Sequence, residues 1–145
     1  MYCYYFRVVL TKKYGVNFDD SRVILDGKNI HDEDLQSIGE ALKANNTLTY
    51  LDLRNNNITD VQSIGEGLKT NNTLETLHLD NNNITDDSGI QSIIDGLKTN
   101  NTLDHLYLNN NQLSDNMKSQ LDAIKQYKRD GSNGYQQVEG MVILR

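Results

Sequence analysis

Two hydrophobic periods alternate along the central part of the chain. In three short segments leucine alternates with polar residues, a period that predicts strands with one buried face. These segments contain Leu51 and Leu53, Leu77 and Leu79, and Leu106 and Leu108. Other segments carry apolar residues at i, i+3 and i+7, which predicts helices with one buried stripe. The stripes are Leu35, Ile38 and Leu42, then Val61, Ile64 and Leu68, then Ile90, Ile93 and Leu97.

The two periods belong to a repeated unit. The segment that begins at Leu51 returns almost unchanged from Leu77. The apolar residue after the asparagine run recurs at spacings of 28, 26 and 29 residues, at Ile30, Ile58, Ile84 and Leu113. Such a period predicts an array in which each unit contacts only its neighbours. Because a strand, a helix and a parallel strand form a crossover, stacked units predict a curved sheet inside and helices outside.

One motif within the unit points to a family. The pattern L-x-x-L-x-L-x-x-N-x-I is found as LTYLDLRNNNI from Leu48, LETLHLDNNNI from Leu74 and LDHLYLNNNQL from Leu103. These segments resemble leucine-rich repeats, and units of this length with helices are similar to the ribonuclease-inhibitor subtype. The resemblance covers Val23 to about Lys128 and implies an α/β leucine-rich repeat solenoid. It also implies that the side-chain amides of Asn56, Asn82 and Asn111 form a ladder with neighbouring backbone groups.

The chain is predicted to have three regions, namely the array and a segment on either side of it. Residues 1–22 are expected to form an N-terminal helical cap, because Phe6, Val9, Leu10 and Tyr14 share one helical stripe. Residues 23–128 are expected to form an array of about four units, whose first unit has Lys28 at the ladder position. Residues 129–145 are expected to form a loop and either a terminal strand or a disordered tail. A strand there would expose a sheet edge, which favours an end-to-end homodimer or a longer array.

Composition narrows the class of partner and the compartment. The chain has 145 residues, with 14 basic against 20 acidic residues and a net charge of −6. This balance disfavours nucleic acid as a partner. With no convincing signal peptide or membrane-spanning segment, and with Cys3 as its one cysteine, the chain is expected in the cytoplasm. The N-x-T sequences begin at repeat-motif positions and are interpreted as by-products of the repeat, not glycosylation sites: Asn45, Asn57, Asn71, Asn83 and Asn100.

The residues between the buried leucines are expected to project from the concave face of the sheet in three rows. The rows are Arg22, Tyr50, Thr76 and His105; Ile24, Asp52, His78 and Tyr107; and Asp26, Arg54, Asp80 and Asn109. The third row places Arg54 between two carboxylates, which predicts either an exposed charge ladder or a recognition strip. The candidate partner-binding residues are Tyr50, Asp52, Arg54, His78, Asp80, His105, Tyr107 and Asn109. Alanine at Tyr107 or Arg54 is expected to spare stability.

The same pattern argues against catalysis. Asp52, His78 and Asp80 are close enough to suggest a metal or an acid–base pair, but the repeats lack tight His/Cys spacing and the flat face lacks a pocket. The glycines Gly39, Gly65, Gly67 and Gly96 lie within predicted helices and are expected to allow close packing, not phosphate binding. We therefore expect no catalytic residue, metal or cofactor.

The function expected from the sequence is non-enzymatic binding of a protein partner through the concave face. Similar repeats are found in intracellular immune receptors, bacterial or viral effectors, actin-end capping proteins and Ran GTPase-activating proteins. One alternative is therefore a GTPase-activating protein of the Ran-activator type, with Arg54 as a rate-enhancing cation. Another is a fragment of a larger immune-receptor or effector protein.

Overall fold

The computed structural model describes residues 8, 11–15, 21–85 and 87–121. The predicted terminal strand, most of the predicted cap stripe and Cys3 lie outside these residues. The elements in chain order are β1 (Arg22–Ile24), α1 (Asp32–Ala44), β2 (Tyr50–Asp52), α2 (Gln62–Leu68), β3 (Thr76–His78), α3 (Asp87–Thr99) and β4 (His105–Tyr107). Residues 11–14 and 115–121 are also helical.

The strands form one parallel sheet in the order β1, β2, β3, β4. Their central residues are buried and in register: Val23, Leu51, Leu77 and Leu106. Parallel neighbours require a crossover, which each helix supplies. The helices pack on one another in the same order as the strands. This arrangement confirms the predicted α/β solenoid of repeated strand–helix units.

The core lies between the sheet and the helices. The three predicted helical stripes are buried and join the strand leucines in one cluster that extends from Val23 to Leu121. Val61 precedes α2 instead of lying in its first turn, yet its side chain is fully buried. Burying an aliphatic side chain of this size stabilises the fold by about 1.5–3 kcal/mol. The repeated apolar positions therefore supply the main stabilisation of the array.

The predicted asparagine ladder is present. The Asn82 side-chain Nδ2 donates to the carbonyl oxygens of Leu53 at 3.0 Å and Leu79 at 3.1 Å, and its Oδ1 accepts from the Ile58 backbone N–H at 3.2 Å. Asn56 and Asn111 make the same set of contacts in the units on either side. Each amide thus ties the turn of its own unit to the turn before it.

A second asparagine ladder, not expected from the sequence, lies where the helices end. The Asn100 Nδ2 donates to the carbonyls of Leu68 at 3.0 Å and Asn71 at 2.7 Å, and its Oδ1 accepts the backbone N–H groups of Thr102 and Leu103. Asn71 makes the equivalent contacts one unit earlier. Both residues begin N-x-T sequences and are only 4% exposed. The burial of Asn71 and Asn100 is therefore explained by the hydrogen bonds that their side chains make with the backbone.

Glycines in the helices allow the units to pack closely, as predicted. A Cβ atom on Gly39 would lie 2.4 Å from the Ser63 carbonyl oxygen, and one on Gly65 would lie 2.4 Å from the Ser92 carbonyl carbon. Both obstacles are backbone atoms of the next helix. Ser63 adds a hydrogen bond across the same contact, from its hydroxyl to the Leu35 carbonyl at 2.9 Å. The close spacing of the helices therefore depends on glycine, which has no side chain, at these positions.

Candidate functional site

The strand register confirms the first two predicted rows on the concave face, defined here as the face of the sheet opposite the helices. Tyr50 pairs with Thr76 and Thr76 with His105, while Asp52 pairs with His78 and His78 with Tyr107. The third row lies just beyond the strands, where hydrogen bonds between backbone groups continue the same alignment. These bonds run from Gly27 N to Arg54 O, from Asn55 N to Asp80 O and from Asn81 N to Asn109 O.

Four of the candidate side chains form a continuous line of rings, called here the ring row: Tyr50, His78, Tyr107 and His105. The Tyr50 and His78 ring centroids lie 5.4 Å apart with the planes tilted by 52°. The His78 and Tyr107 rings stack at 4.2 Å, 3° from parallel, and His105 follows Tyr107 at 6.3 Å. The ring row runs from β2 through β3 to β4, where Tyr107 and His105 belong to the same strand. The sequence placed these residues on one face but did not predict that they contact one another.

At its β1 end the ring row is flanked by Arg22, whose guanidinium carbon lies 4.1 Å from the Tyr50 ring centroid. This distance is that of a cation–π contact. Burial raises the pKa of the Tyr50 hydroxyl, and the nearby Asp52 carboxylate raises it further. The hydroxyl therefore remains protonated at neutral pH and can donate a hydrogen bond to a partner.

Asp52 and Arg54 form an ion pair within their own unit. The Arg54 Nε lies 2.9 Å from Asp52 Oδ1, and its terminal nitrogen lies 2.6 Å from Asp52 Oδ2. This bidentate bond raises the pKa of Arg54 above its usual range. Of the two alternatives for the third row, the exposed charge ladder does not match the ion pairs. Arg54 binds the carboxylate two residues earlier, and among the described residues no ion pair joins it to Asp26 or Asp80. The reason is that Asp52 is only 1% exposed and requires a cation beside it.

Asp80 in the next unit pairs with no arginine of the described residues and instead binds Asn109 and His78. Its Oδ1 accepts from the Asn109 backbone N–H at 3.1 Å and from the Asn109 Nδ2 at 3.0 Å, while its Oδ2 lies 3.1 Å from His78 Nδ1. A carboxylate only accepts hydrogen bonds, so the proton of this pair is assigned to His78 Nδ1. Asp80 is 8% exposed. It therefore orients the His78 ring within the ring row.

Asp52, His78 and Asp80 lie close together as predicted, since Asp52 is the strand neighbour of His78, but they do not act as one group. His78 contacts Asp80, but Asp52 is engaged by Arg54. No group of three or more His, Cys, Asp or Glu side chains within residues 21–85 and 87–121 is placed to hold a metal ion. The helices in the described part of the chain are likewise too short or too polar to cross a membrane.

Two residues at the β1 end extend the surface beyond the predicted candidates. Ile24 is 47% exposed, the highest value for a large hydrophobic side chain among the described residues, and Arg22 beside it is exposed as well. Both were placed in the rows by the sequence, but neither was selected as a candidate. The sequence could have indicated Ile24 as part of the surface, because it is an apolar residue at a position that is polar in the other units.

Comparisons with known proteins agree with this architecture. Residues 46–92 match the family described as Leucine Rich repeats (2 copies). The solved structure of Leiomodin-1 Actin-Binding Site 2 is similar, with 27% identity over 86% of this chain and 73% of that chain and a TM-score of 0.68. An internalin from Listeria monocytogenes has 23% identity over 85% of this chain and 33% of that chain, with a TM-score of 0.45. No curated protein sequence matches significantly.

The fold is therefore a leucine-rich repeat solenoid. Domains of this class generally mediate protein–protein interaction, and no enzyme family is indicated. The ribonuclease-inhibitor-like subtype stays a prediction from the unit length.

Proposed function

We propose that this protein is a non-enzymatic interaction module that binds a protein partner through its concave face. The observation that carries the proposal is the ring row, in which four half-buried rings form one continuous surface. Tyrosine is among the residue types that contribute most to binding at protein interfaces. The leucine-rich repeat fold supports the same class of function.

The candidate residues divide into two roles. The residues proposed to contact the partner are half-buried on the concave face: Tyr50, Arg54, His78, His105, Tyr107 and Asn109. Asp52 and Asp80 are buried and are proposed to hold Arg54 and His78 in place, and Asp80, whose side chain keeps 11% exposure, can also meet a partner group. Because these side chains are already positioned by stacking and ion pairing, binding loses less conformational entropy than it would with mobile side chains.

A comparative pull-down tests this proposal. Wild-type protein, the Tyr50→Ala/Tyr107→Ala double variant and a Lys98→Ala control would be used as baits, and recovered proteins would be quantified by mass spectrometry. Lys98 lies exposed at the end of α3, away from the sheet. We expect a set of proteins that wild type and the control recover equally and the double variant does not. Equal recovery by all three baits would contradict the concave-face proposal.

Actin is a second candidate partner, because the similar leiomodin-1 structure is an actin-binding site and the similarity extends over 86% of this chain. Cosedimentation with actin filaments and native gel shifts with monomeric actin test it directly. Binding that the Tyr50→Ala/Tyr107→Ala variant loses would identify actin as a concave-face partner. Absence of binding to both forms of actin would exclude it.

No observation favours the GTPase-activator alternative. A rate-enhancing arginine has to reach the transferred phosphate, whereas the Arg54 guanidinium is held by both oxygens of Asp52. Single-turnover GTP hydrolysis by a small panel of GTPases would test this alternative. Acceleration that Arg54→Ala abolishes would restore it. That the solenoid belongs to a larger immune-receptor or effector protein stays a prediction.

A further inference from the structure

The two buried carboxylates of the concave face differ in how they are neutralised. Both oxygens of Asp52 bind the Arg54 guanidinium. Asp80 pairs with His78, and no lysine or arginine of the described residues pairs with it. Its other donors are uncharged groups of Asn109. The β3–β4 end of the concave face therefore carries a carboxylate that is not matched by a permanent cation.

The same end of the face has an excess of acceptors. Each carboxylate oxygen accepts about two hydrogen bonds, and among the described residues Asp80 Oδ2 has one partner, His78 Nδ1. The Asn109 amide gives its Nδ2 to Asp80, and its Oδ1 is buried without a donor among the described residues. Because the Asn109 Oδ1 is enclosed, the acceptor left for a partner group with N–H donors is Asp80, whose side chain is 11% exposed.

The ring row beside Asp80 provides apolar surface for the stem of a long side chain. Lysine and arginine commonly lay their methylene groups on such a surface while the charged group reaches a polar partner. Arg22 already packs in this way at the opposite end, with its guanidinium 4.1 Å from the Tyr50 ring. The net charge of −6 favours a basic partner in addition.

We propose that the protein partner places a lysine or arginine side chain against Asp80, at the β3–β4 end of the concave face. This inference rests on the proposed function of that face. The methylene stem lies along His78 and Tyr107, and the cation supplies Asp80 with the charge that Arg54 supplies to Asp52. The ion pair fixes the register of the partner along the ring row, because Asp52 at the β2 position is already neutralised.

Selection from a random-peptide phage library tests this proposal. The baits are wild type, Asp80→Asn, the Tyr50→Ala/Tyr107→Ala double variant and Asp104→Asn. Asp104 is an exposed residue that precedes β4, so its substitution changes the net charge equally without altering the ring row. We expect one enriched lysine or arginine position in peptides selected on wild type and on Asp104→Asn, and no such position on Asp80→Asn.

A double-mutant cycle then measures the contact. Fluorescence anisotropy gives the affinity of the best peptide, and of its version with glutamine at the basic position, for wild type and Asp80→Asn. We expect each change alone to weaken binding about tenfold or more, and both together to weaken it little further. The glutamine peptide on wild type tests the contact even where Asp80→Asn disturbs the fold.

The outcomes separate the two proposals. Peptides that require Tyr50 and Tyr107 but show no basic preference, or that bind Asp80→Asn with unchanged affinity, overturn the lysine or arginine contact and leave concave-face binding standing. Peptides that bind the Tyr50→Ala/Tyr107→Ala variant equally, or a library that yields no binder, overturn concave-face binding of extended segments and the contact with it.

Discussion

The His78 imidazole lies flat against the Tyr107 ring, with centroids 4.2 Å apart and planes 3° from parallel. The stack joins β3 and β4. Asp80, just after β3, holds the imidazole in place, with its Oδ2 lying 3.1 Å from His78 Nδ1. Neither ring is fully buried. The pair is therefore rigid and still accessible, which is the combination that a preformed binding surface requires.

Replacing Tyr107 should weaken partner binding more than it weakens the fold. Tyr107→Ala removes one stacked ring, and we expect it to lower the free energy of unfolding by about 0.5–1.5 kcal/mol. Leu79→Ala empties a fully buried core position and should cost about 2–5 kcal/mol. Urea denaturation followed by circular dichroism measures both. Equal losses for the two variants would show that Tyr107 belongs to the core.

The effect of replacing Arg54 differs from the expectation drawn from the sequence, which was that stability is spared. Arg54→Ala leaves Asp52 buried without its cation. We expect a loss of about 1–3 kcal/mol, less than for a fully buried pair because Arg54 is half exposed. The Asp52→Asn/Arg54→Ala double variant should recover part of this loss, since it removes the stranded charge. A double variant as unstable as the sum of the two single variants would refute the coupling.

The fold was predictable because its signals are local and repeated. The leucines of the strands, the helical stripes and the amide position of Asn82 each recur once per unit, so three imperfect copies identify one pattern. The site was less predictable, because each of its charged side chains has several neighbours with which it could pair. Register alone placed Arg54 between Asp26 and Asp80, but the burial of Asp52, which decides where the guanidinium goes, is a property of the folded sheet.

The ladder amide of Asn82 should contribute far more to stability than the exposed amide one residue later. Asn82→Ala leaves the buried Ile58 N–H without its acceptor. It also removes one of the two amide donors from the carbonyls of Leu53 and Leu79, which keep those of Asn56 and Asn111. We expect a loss of at least about 1–3 kcal/mol, the cost of one buried unsatisfied group. Asn83→Ala changes an exposed side chain and should stay within about 0.5 kcal/mol of wild type.

Thermal unfolding of both asparagine variants at one protein concentration makes the comparison. If Asn83→Ala proved as destabilising as Asn82→Ala, the stabilisation could not be assigned to the ladder. It would then have to come from the turn conformation that the asparagine run shares.

Alanine at Gly65 should destabilise the protein even though alanine is the better helix former. In an unhindered helix the change would stabilise by about 0.5–1 kcal/mol. Here the new Cβ would lie 2.4 Å from the Ser92 carbonyl carbon and 2.5 Å from the Ile93 nitrogen, and neither backbone atom can move without shifting α3. Overpacking of this kind costs about 1–3 kcal/mol, so the net change should be a loss. Ser37→Ala, at an exposed position of α1, is the matched control and should be neutral or slightly stabilising. Urea denaturation of the two variants separates helix propensity from packing: a Gly65→Ala protein as stable as Ser37→Ala would mean that the spacing between α2 and α3 is not set by the contact at Gly65.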